Sequence, residues 1–210
     1  SLSHPDYFKS RCEARLHFFD AIANKTLVTT MEALFGDEIS FHNTQVFFNP
    51  HKRTQKPYWH RDMQYSPIPD ERQAQELANM LSLHVRIPLV KETGLKLLPG
   101  THKRWDTDLE RDVRFERGGH QHSENLPGAT TLHLEPGDVL IFNAQMIHRG
   151  IYNKDECRKA LDLCLGRPHH LTTPFLDSEN FPNEEELAEI KYPQWFQTAL
   201  QISKQAQSSL

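Results

Sequence analysis

The spacing of apolar residues divides the chain into helical ends and an extended middle. Over residues 5–35 apolar side chains recur every three or four positions, which predicts two α-helices that are separated near Asn24. A short third helix is predicted over residues 70–80, after a proline-rich turn. Helical spacing returns from about residue 183, where Tyr192, Trp195 and Phe196 are candidate anchors for the C-terminal helices.

Short segments in the middle of the chain predict β-strands. Residues 41–48 are rich in β-prone side chains, and residues 83–89 alternate apolar with polar positions, as a strand with two unlike faces does. Further strands are predicted within residues 94–103 and over residues 130–134, 139–142 and 158–165. Residues 104–128 are charged and have no clear period, which predicts a long functional or mobile loop.

This order of elements predicts the fold class. Many short strands between terminal helices favour a mainly β protein, a double-stranded β-helix (jelly-roll, cupin-like) barrel with flanking N- and C-terminal α-helices. We expect a single domain over residues 1–210, with helices in 1–36, the barrel in 41–166 with its long loop at 104–128, and helices in 183–207. A parallel α/β sheet fits poorly, because no glycine-rich phosphate loop follows any predicted strand.

Composition narrows the class of partners. The 210 residues include 24 Lys and Arg against 28 Asp and Glu, and this net charge of −4 gives no reason to expect binding to nucleic acid or to an anionic membrane. The three cysteines form no CxxC pair, so we expect free thiols in a reducing, cytoplasmic compartment. No apolar run is long enough to cross a bilayer. Because the chain opens with Ser1 rather than Met, we expect a leading segment to have been removed.

His60, Asp62 and His148 are candidate metal ligands. In an extended segment, side chains two positions apart point to the same side, so His60 and Asp62 can face one ion while Arg61 points away. His148 follows a turn and an apolar strand, which places it at a strand end. Two histidines and one carboxylate with open positions are the ligand set of non-haem Fe(II) oxygenases. The alternatives are a chance HxD sequence and a satisfied, partly buried histidine.

Arg158 is the candidate for binding a carboxylate near that metal. It follows His148 by ten positions and starts a strand with one small, polar face. If this face lines the barrel, the guanidinium suits bidentate binding, and otherwise it belongs to a solvated surface pair. Asn43 and Gln45 share a strand face and are further candidates for the same ligand, although an exposed polar face explains them equally well. The same two explanations apply to His84 and Arg86.

Two histidine pairs and a cluster of basic residues are interpreted as solvated surface groups rather than as binding sites. The pairs His120 with His122 and His169 with His170 lie in predicted loops without a third ligand in sequence range, so solvated histidines are favoured. The basic residues between positions 102 and 117 alternate with acidic ones, so we interpret them as a solvated lid rather than as a grip on an acidic substrate.

Four motifs together resemble the phytanoyl-CoA dioxygenase family of Fe(II)/2-oxoglutarate-dependent oxygenases. They are Trp59-His60-Arg61-Asp62 followed by Tyr65, Pro99-Gly100-Thr101-His102-Lys103, Gly137-Asp138-Val139-Leu140-Ile141-Phe142 ahead of His148, and Asn153 with Arg158. The resemblance covers about residues 41–166. The chain departs from the family pattern at Arg61, where many relatives have Gln, and at Thr101, where Ser is usual.

The resemblance implies a complete site. His60, Asp62 and His148 would bind Fe(II), and Arg158 would bind the distal carboxylate of the cosubstrate 2-oxoglutarate. A small-molecule substrate would be hydroxylated by O2 while 2-oxoglutarate is decarboxylated to succinate and CO2. Tyr65 and Arg86 are substrate-side candidates, Arg61 is a scaffold or substrate-side residue, and no catalytic residue beyond the metal ligands is expected. The substrate (an acyl-CoA, an amino acid or a secondary metabolite) and the oligomeric state are left open.

Two other functions are weighed against this one. A cupin-type metal or small-molecule binding protein without turnover would share the barrel, but it has no need for a carboxylate clamp at Arg158. Iron halogenases resemble the same family but lack the carboxylate ligand, so Asp62 argues against that class.

Overall fold

The computed structural model describes residues 1–9, 11–52 and 55–208. The chain forms two compact units, one from Ser1–Gln45 together with the chain from Leu163 onward and the other from Val46–Asp162. Within the described ranges, no helix is both long enough and apolar enough to cross a membrane.

The first unit contains four α-helices of the described chain. They are α1 (Cys12–Ile22), α2 (Lys25–Phe35), α5 (Glu184–Glu189) and α6 (Gln194–Ser208). Asn24 separates the first two helices, because its side chain accepts a hydrogen bond from Leu27 N and so caps α2. The predicted break near Asn24 is therefore confirmed.

The core of the first unit is aromatic. Phe196 of α6 contacts Phe19 and Phe41 edge to face, with ring centroids 5.1 Å apart in both pairs. Trp195 and Phe196 are buried, as expected of anchors, whereas Tyr192 is half-buried. Burial of these large rings holds the terminal helices of this unit together.

Seven strands form two sheets in the described chain. The strands are β1 (Ser40–Phe48), β2 (Ser82–Pro88), β3 (Glu92–Leu97), β4 (Thr130–Leu134), β5 (Leu140–Asn143), β6 (His148–Gly150) and β7 (Lys159–Gly166). One sheet has the strand order β1-β7-β2-β5, and the other has the order β4-β3-β6. The boundary between the two compact units falls inside β1 and β7.

The strand registers of the second unit determine which residues face each other across the sheets. In the antiparallel pair β2 and β5, His84 lies opposite Phe142 and Arg86 lies opposite Leu140. In the antiparallel pair β3 and β6, Leu97 lies opposite His148. The short strand β6 was not expected, because His148, Arg149 and Gly150 have no alternating apolar pattern.

Two expectations are wrong at this level. The protein is not mainly β, because the described chain has six α-helices whose residues outnumber those of its strands, which are three to nine residues long. Residues 104–128, which were predicted to be one long loop, contain the helix α4 (Asp108–Arg114). The remaining helix, α3 (Asp70–Glu76), lies within the predicted range.

The buried face of α4 explains why its period was missed. Thr107 and Glu110 form a reciprocal capping box at its start. Val113 packs in a buried cluster with Trp59, while Glu110 and Arg114 are buried although they are charged. A helix of seven residues with paired charges on its inner face shows no apolar stripe. Arg114 therefore does not belong to a solvated lid, which corrects that interpretation.

Candidate metal centre

The backbone places the two candidate histidines side by side. His60 N donates to His148 O and His148 N donates to His60 O, both at 3.0 Å, so the segment before Asp62 pairs with β6 like a short antiparallel strand. Asp62 N in turn donates to Ala144 O at 3.1 Å. Residues that are 88 positions apart along the chain are thereby held together by main-chain hydrogen bonds.

The three donor groups converge on one point. Their ligand atoms all lie within 4.8 Å of one another. Asp62 Oδ1 is 3.3 Å from His148 Nε2 and 3.8 Å from His60 Nε2. The extended backbone of Arg61 (φ −107°, ψ 146°) turns the side chains of His60 and Asp62 to the same side, as the spacing predicted.

Both histidines are held in the tautomer that a metal requires. His60 Nδ1 lies 3.2 Å from Tyr58 O, and His148 Nδ1 lies 2.8 Å from Met146 O. A carbonyl oxygen only accepts, so each Nδ1 carries a proton, and the nitrogen that remains to bind a metal is Nε2. The donor set of two imidazole nitrogens and one carboxylate oxygen fits a divalent iron ion with open positions.

The electrostatics of the centre also favour a cation. Burial, assisted by His148, lowers the pKa of His60 to about 3, so its imidazole is neutral at physiological pH. Burial by itself would raise the pKa of Asp62, but His84 and His148 outweigh it and hold the pKa of this carboxyl well below its usual range. Metal ligands must be deprotonated, and both groups meet this condition.

Arg158 fits a carboxylate ligand. It is buried and donates from Nε to Glu92 Oε1 at 2.7 Å, yet within the described chain its buried Nη1 and Nη2 have no hydrogen-bond partner. Unpaired buried guanidinium N–H groups are costly, and a bidentate carboxylate would satisfy them. Gly94 makes room for this side chain, because a Cβ there would lie 2.7 Å from Arg158 Nε.

Arg61 has a scaffold position rather than a substrate-side one. All five of its N–H groups donate to protein acceptors: the carbonyls of Thr101, Arg104 and Gln145, and twice the carboxylate of Asp106. The side chain is fully buried, so nothing remains to bind a substrate. Of the two alternatives for Arg61, these contacts favour the scaffold and contradict the substrate-side role.

Arg86 requires the same correction. It is buried and binds the Asp162 carboxylate through Nε at 2.7 Å and Nη2 at 2.9 Å. Tyr65, in contrast, is 63 % exposed, and its ring centroid is 5.5 Å from that of His60. Tyr65 thus remains the substrate-side candidate beside the centre.

The remaining candidates lie elsewhere. Asn43 and Gln45 belong to the first unit, where Asn43 is half-buried and Gln45 is exposed, and their role in cosubstrate binding stays a prediction. His120 and His122 form pairs with Glu124 and Glu116 at 3.0 and 3.5 Å. All four side chains of these pairs are at least one-third exposed, in line with solvated histidines.

Sequence reasoning missed the acidic partners of the site. Asp162 is fully buried and contacts His84 and Arg86, and Glu92 contacts Arg86 and Arg158. The signal for Asp162 was a single carboxylate in the otherwise apolar segment of β7, since a buried charge needs a partner. Glu92 stands at the start of β3, where an acidic residue is unremarkable, so it had no such signal.

The chain belongs to the phytanoyl-CoA dioxygenase family, because residues 4–160 match the family model described as Phytanoyl-CoA dioxygenase (PhyH). The family that the four motifs resemble is thereby confirmed.

The chain is also similar to several solved structures. The chain is similar to EctD from S. alaskensis in its apoform, with 17 % sequence identity, a TM-score of 0.50, and coverage of 77 % of this chain and 55 % of that chain. It is also similar to the non-heme alpha ketoglutarate dependent epimerase SnoN from nogalamycin biosynthesis (18 % identity, TM-score 0.49, 73 % and 56 % covered). The non-heme monooxygenase ThoJ in its Ni complex is a third (17 % identity, TM-score 0.46, 70 % and 52 % covered). The chain spans about half the length of these three structures.

Proposed function

We propose that the protein is an Fe(II)/2-oxoglutarate-dependent dioxygenase that hydroxylates a small-molecule substrate. The observation that carries this proposal is the convergence of His60 Nε2, Asp62 Oδ1 and His148 Nε2 within 4.8 Å of one another, with Nδ1 of each histidine directed at a carbonyl oxygen. Membership of the phytanoyl-CoA dioxygenase family supports it. Asp62 is also the carboxylate ligand that a halogenase of this type would lack.

We also propose that the two sheets form the double-stranded β-helix expected from the sequence. Both sheets contain antiparallel strand pairs, as this architecture requires. In one sheet β2 pairs with β5, and in the other β3 pairs with β4 and with β6. The likeness in fold to EctD supports it.

The residues of the candidate centre would bind either the metal or the cosubstrate. His60, Asp62 and His148 would hold Fe(II) through three positions on one side, and Arg158 would bind the distal carboxylate of 2-oxoglutarate through Nη1 and Nη2. When bound, Fe(II) and 2-oxoglutarate would supply the oxidative chemistry. O2, 2-oxoglutarate and the substrate would be converted to succinate, CO2 and the hydroxylated product. Tyr65, whose ring lies beside His60, would contact the substrate. The cytoplasmic location expected from the cysteines stays a prediction.

Turnover of 2-oxoglutarate without a substrate tests the function, because the substrate is unknown. The purified protein is incubated with Fe(II), ascorbate, O2 and 2-oxoglutarate, and succinate is measured. We expect slow, Fe(II)-dependent succinate formation that is abolished by His60→Ala, Asp62→Ala or His148→Ala. Arg158→Gln should raise the KM for 2-oxoglutarate more than it lowers kcat, since Arg158 contacts the cosubstrate and not the metal.

His122→Ala is the matched control, because it removes an exposed histidine that is not in the metal triad. It should leave succinate formation at the wild-type rate. Binding of Fe(II) and 2-oxoglutarate without any succinate would favour a cupin-type binding protein. Equal turnover by wild type and His148→Ala would refute the proposed centre.

A further inference from the structure

The second oxygen of the Asp62 carboxylate is held away from the metal position. Oδ1 faces the Nε2 atoms of His60 and His148, whereas Oδ2 lies 2.7 Å from His84 Nε2. A carboxylate whose Oδ2 is engaged in this way presents a single oxygen, Oδ1, to an ion. His84 is itself buried and stacks on Phe142, with ring centroids 5.0 Å apart and 17° between the planes.

A chain of buried contacts continues from His84. Its Nδ1 lies 3.0 Å from Asp162 Oδ2, and the same carboxylate is bound by Arg86 Nε and Nη2. Arg86 Nη1 reaches Glu92 Oε1 at 3.3 Å, and this oxygen also accepts from Arg158 Nε. The contacts thus run without a break from the metal carboxylate to the arginine proposed to bind the cosubstrate.

The burial of this chain argues for a positioning role. The side chains of its four central members are at most 4 % exposed: His84, Asp162, Arg86 and Glu92. Buried charges cost free energy unless their partners are well placed, and each charge here has an opposite charge or a histidine within hydrogen-bond distance. Such a network has few alternative arrangements, so it fixes the orientation of the groups at its two ends.

We propose that His84 is a positioning residue that orients Asp62 for binding the metal through Oδ1 alone, and that the Asp162–Arg86–Glu92 chain couples this carboxylate to Arg158. The proposal rests on the proposed function. It assigns to His84 and to the acidic residues Asp162 and Glu92 a joint task that neither the family match nor the motifs name. Outer-shell partners of metal ligands typically change metal affinity by about 10- to 100-fold when they are removed.

Two conservative variants of His84 test the first half of the proposal. A glutamine amide nitrogen can take the place of Nε2 and donate to Asp62, whereas an asparagine amide nitrogen takes the place of Nδ1 and reaches only Asp162. Co(II) is the probe, because its absorption bands report both affinity and ligand geometry without turnover. We expect His84→Gln to bind Co(II) within about threefold of wild type, and His84→Asn to bind it about 10- to 100-fold more weakly with altered bands.

Asp162→Asn tests the coupling, because Asp162 contacts both His84 and Arg86. We expect weaker binding of Co(II) and, in the Co(II)-loaded protein, at least about a twofold weaker binding of 2-oxoglutarate measured by calorimetry. Glu92→Gln should weaken 2-oxoglutarate binding with little change for Co(II). The matched control is Glu110→Gln, which changes a buried carboxylate of the same unit whose partner is Arg104. This control should change neither affinity.

The outcomes separate this proposal from the proposed function. If wild type and His148→Ala bind Co(II) equally, the metal centre is refuted and the positioning role falls with it. If wild type binds Co(II) through His148 but His84→Asn binds as tightly as His84→Gln, the role of His84 alone is refuted. If Asp162→Asn lowers only the thermal stability, as Glu110→Gln would, the chain is structural and the coupling is refuted.

Discussion

At the scale of single residues, neighbouring positions in the HxD segment have opposite surroundings. His60 and Asp62 keep their ligand atoms directed to one point, while Arg61 between them is buried among carbonyl and carboxylate oxygens. Period two predicted that Arg61 would point away from the metal. Its main partner, Asp106, is 45 residues away, so no local pattern could reveal it.

Removal of the Arg61 guanidinium should destabilise the protein strongly. Arg61→Met leaves Asp106 buried with one of its two arginine partners, Arg114, and leaves three carbonyls without their donor. We expect a loss of about 3–5 kcal/mol of unfolding free energy in urea titrations of the metal-free protein. Arg111→Gln, which breaks an exposed pair with Asp108, should cost less than about 1 kcal/mol. Similar losses in the two variants would contradict this account of Arg61.

Protonation of His42 should make stability depend on pH. Burial lowers the pKa of His42 to about 4 in the folded protein, against an ordinary value of 6.5. Between these values the unfolded chain binds a proton that the folded protein does not, so stability falls as the pH drops from about 6.5 to about 4 and this contribution then levels off. The full effect is about 3 kcal/mol. Urea unfolding at several pH values should show that the unfolding free energy of His42→Phe falls less steeply with decreasing pH than that of wild type. An equally steep fall in both proteins would show that His42 is not the group responsible.

At the scale of elements, side-chain period predicted the helices and strands whose burial is chemically simple. The break near Asn24 and the strand β2 were predicted from the helical spacing and the alternation of apolar residues, and both are present in the structure. Helix α4 was missed because its inner face carries Glu110 and Arg114, which are compensated by Arg104 and Asp106 in the folded protein. Period detects apolar burial only, so an element that buries ion pairs escapes it.

The start of α4 should be sensitive to its capping residue. Thr107 Oγ1 accepts from Glu110 N, and this bond satisfies a main-chain donor at the helix end. Thr107→Ala should therefore cost about 1 kcal/mol of unfolding free energy, measured by urea denaturation. Thr29→Ala is the matched control, because Thr29 is exposed in the interior of α2 and alanine favours helix there. If the control lost as much stability as Thr107→Ala, the cap would not be the cause.

At the scale of the whole molecule, the candidate site is assembled from segments that are distant along the chain. β6 supplies His148, the residues after it supply Arg158, and the segment before Asp62 pairs with β6. The network behind the site adds side chains of β2, β3 and β7. Ligands that bind such a site therefore hold several elements of the second unit together.

Binding of metal and cosubstrate should stabilise the folded protein by mass action. With Co(II) and 2-oxoglutarate each far above its Kd, we expect at least about 2.7 kcal/mol of stabilisation, or a rise of roughly 5–10 °C in Tm. In His148→Ala, adding Co(II) and 2-oxoglutarate together should not raise the Tm, whereas His122→Ala should show the same rise in Tm as wild type. Differential scanning fluorimetry measures this directly. An equal rise in wild type and His148→Ala would mean that the stabilising site is elsewhere.

The sequence by itself determined the family and pointed to the three residues of the candidate metal centre. Trp59-His60-Arg61-Asp62 and the segment before His148 are local motifs, and the match over residues 4–160 confirms the family that they resemble. Apolar spacing and turn residues also determined most helices and strands, since these depend on neighbours within a few residues.

Only the tertiary structure decided what each charged side chain contacts. Arg86 was predicted on the substrate side and Arg61 either there or in the scaffold, and both are buried and paired with carboxylates. Asp162 and Glu92 were not predicted as site residues, yet they contact Arg86. The physical reason is that the pairing of a buried charge depends on strand register and on contacts between residues that are far apart along the chain. A linear pattern can show that such a residue needs a partner, but the fold chooses the partner.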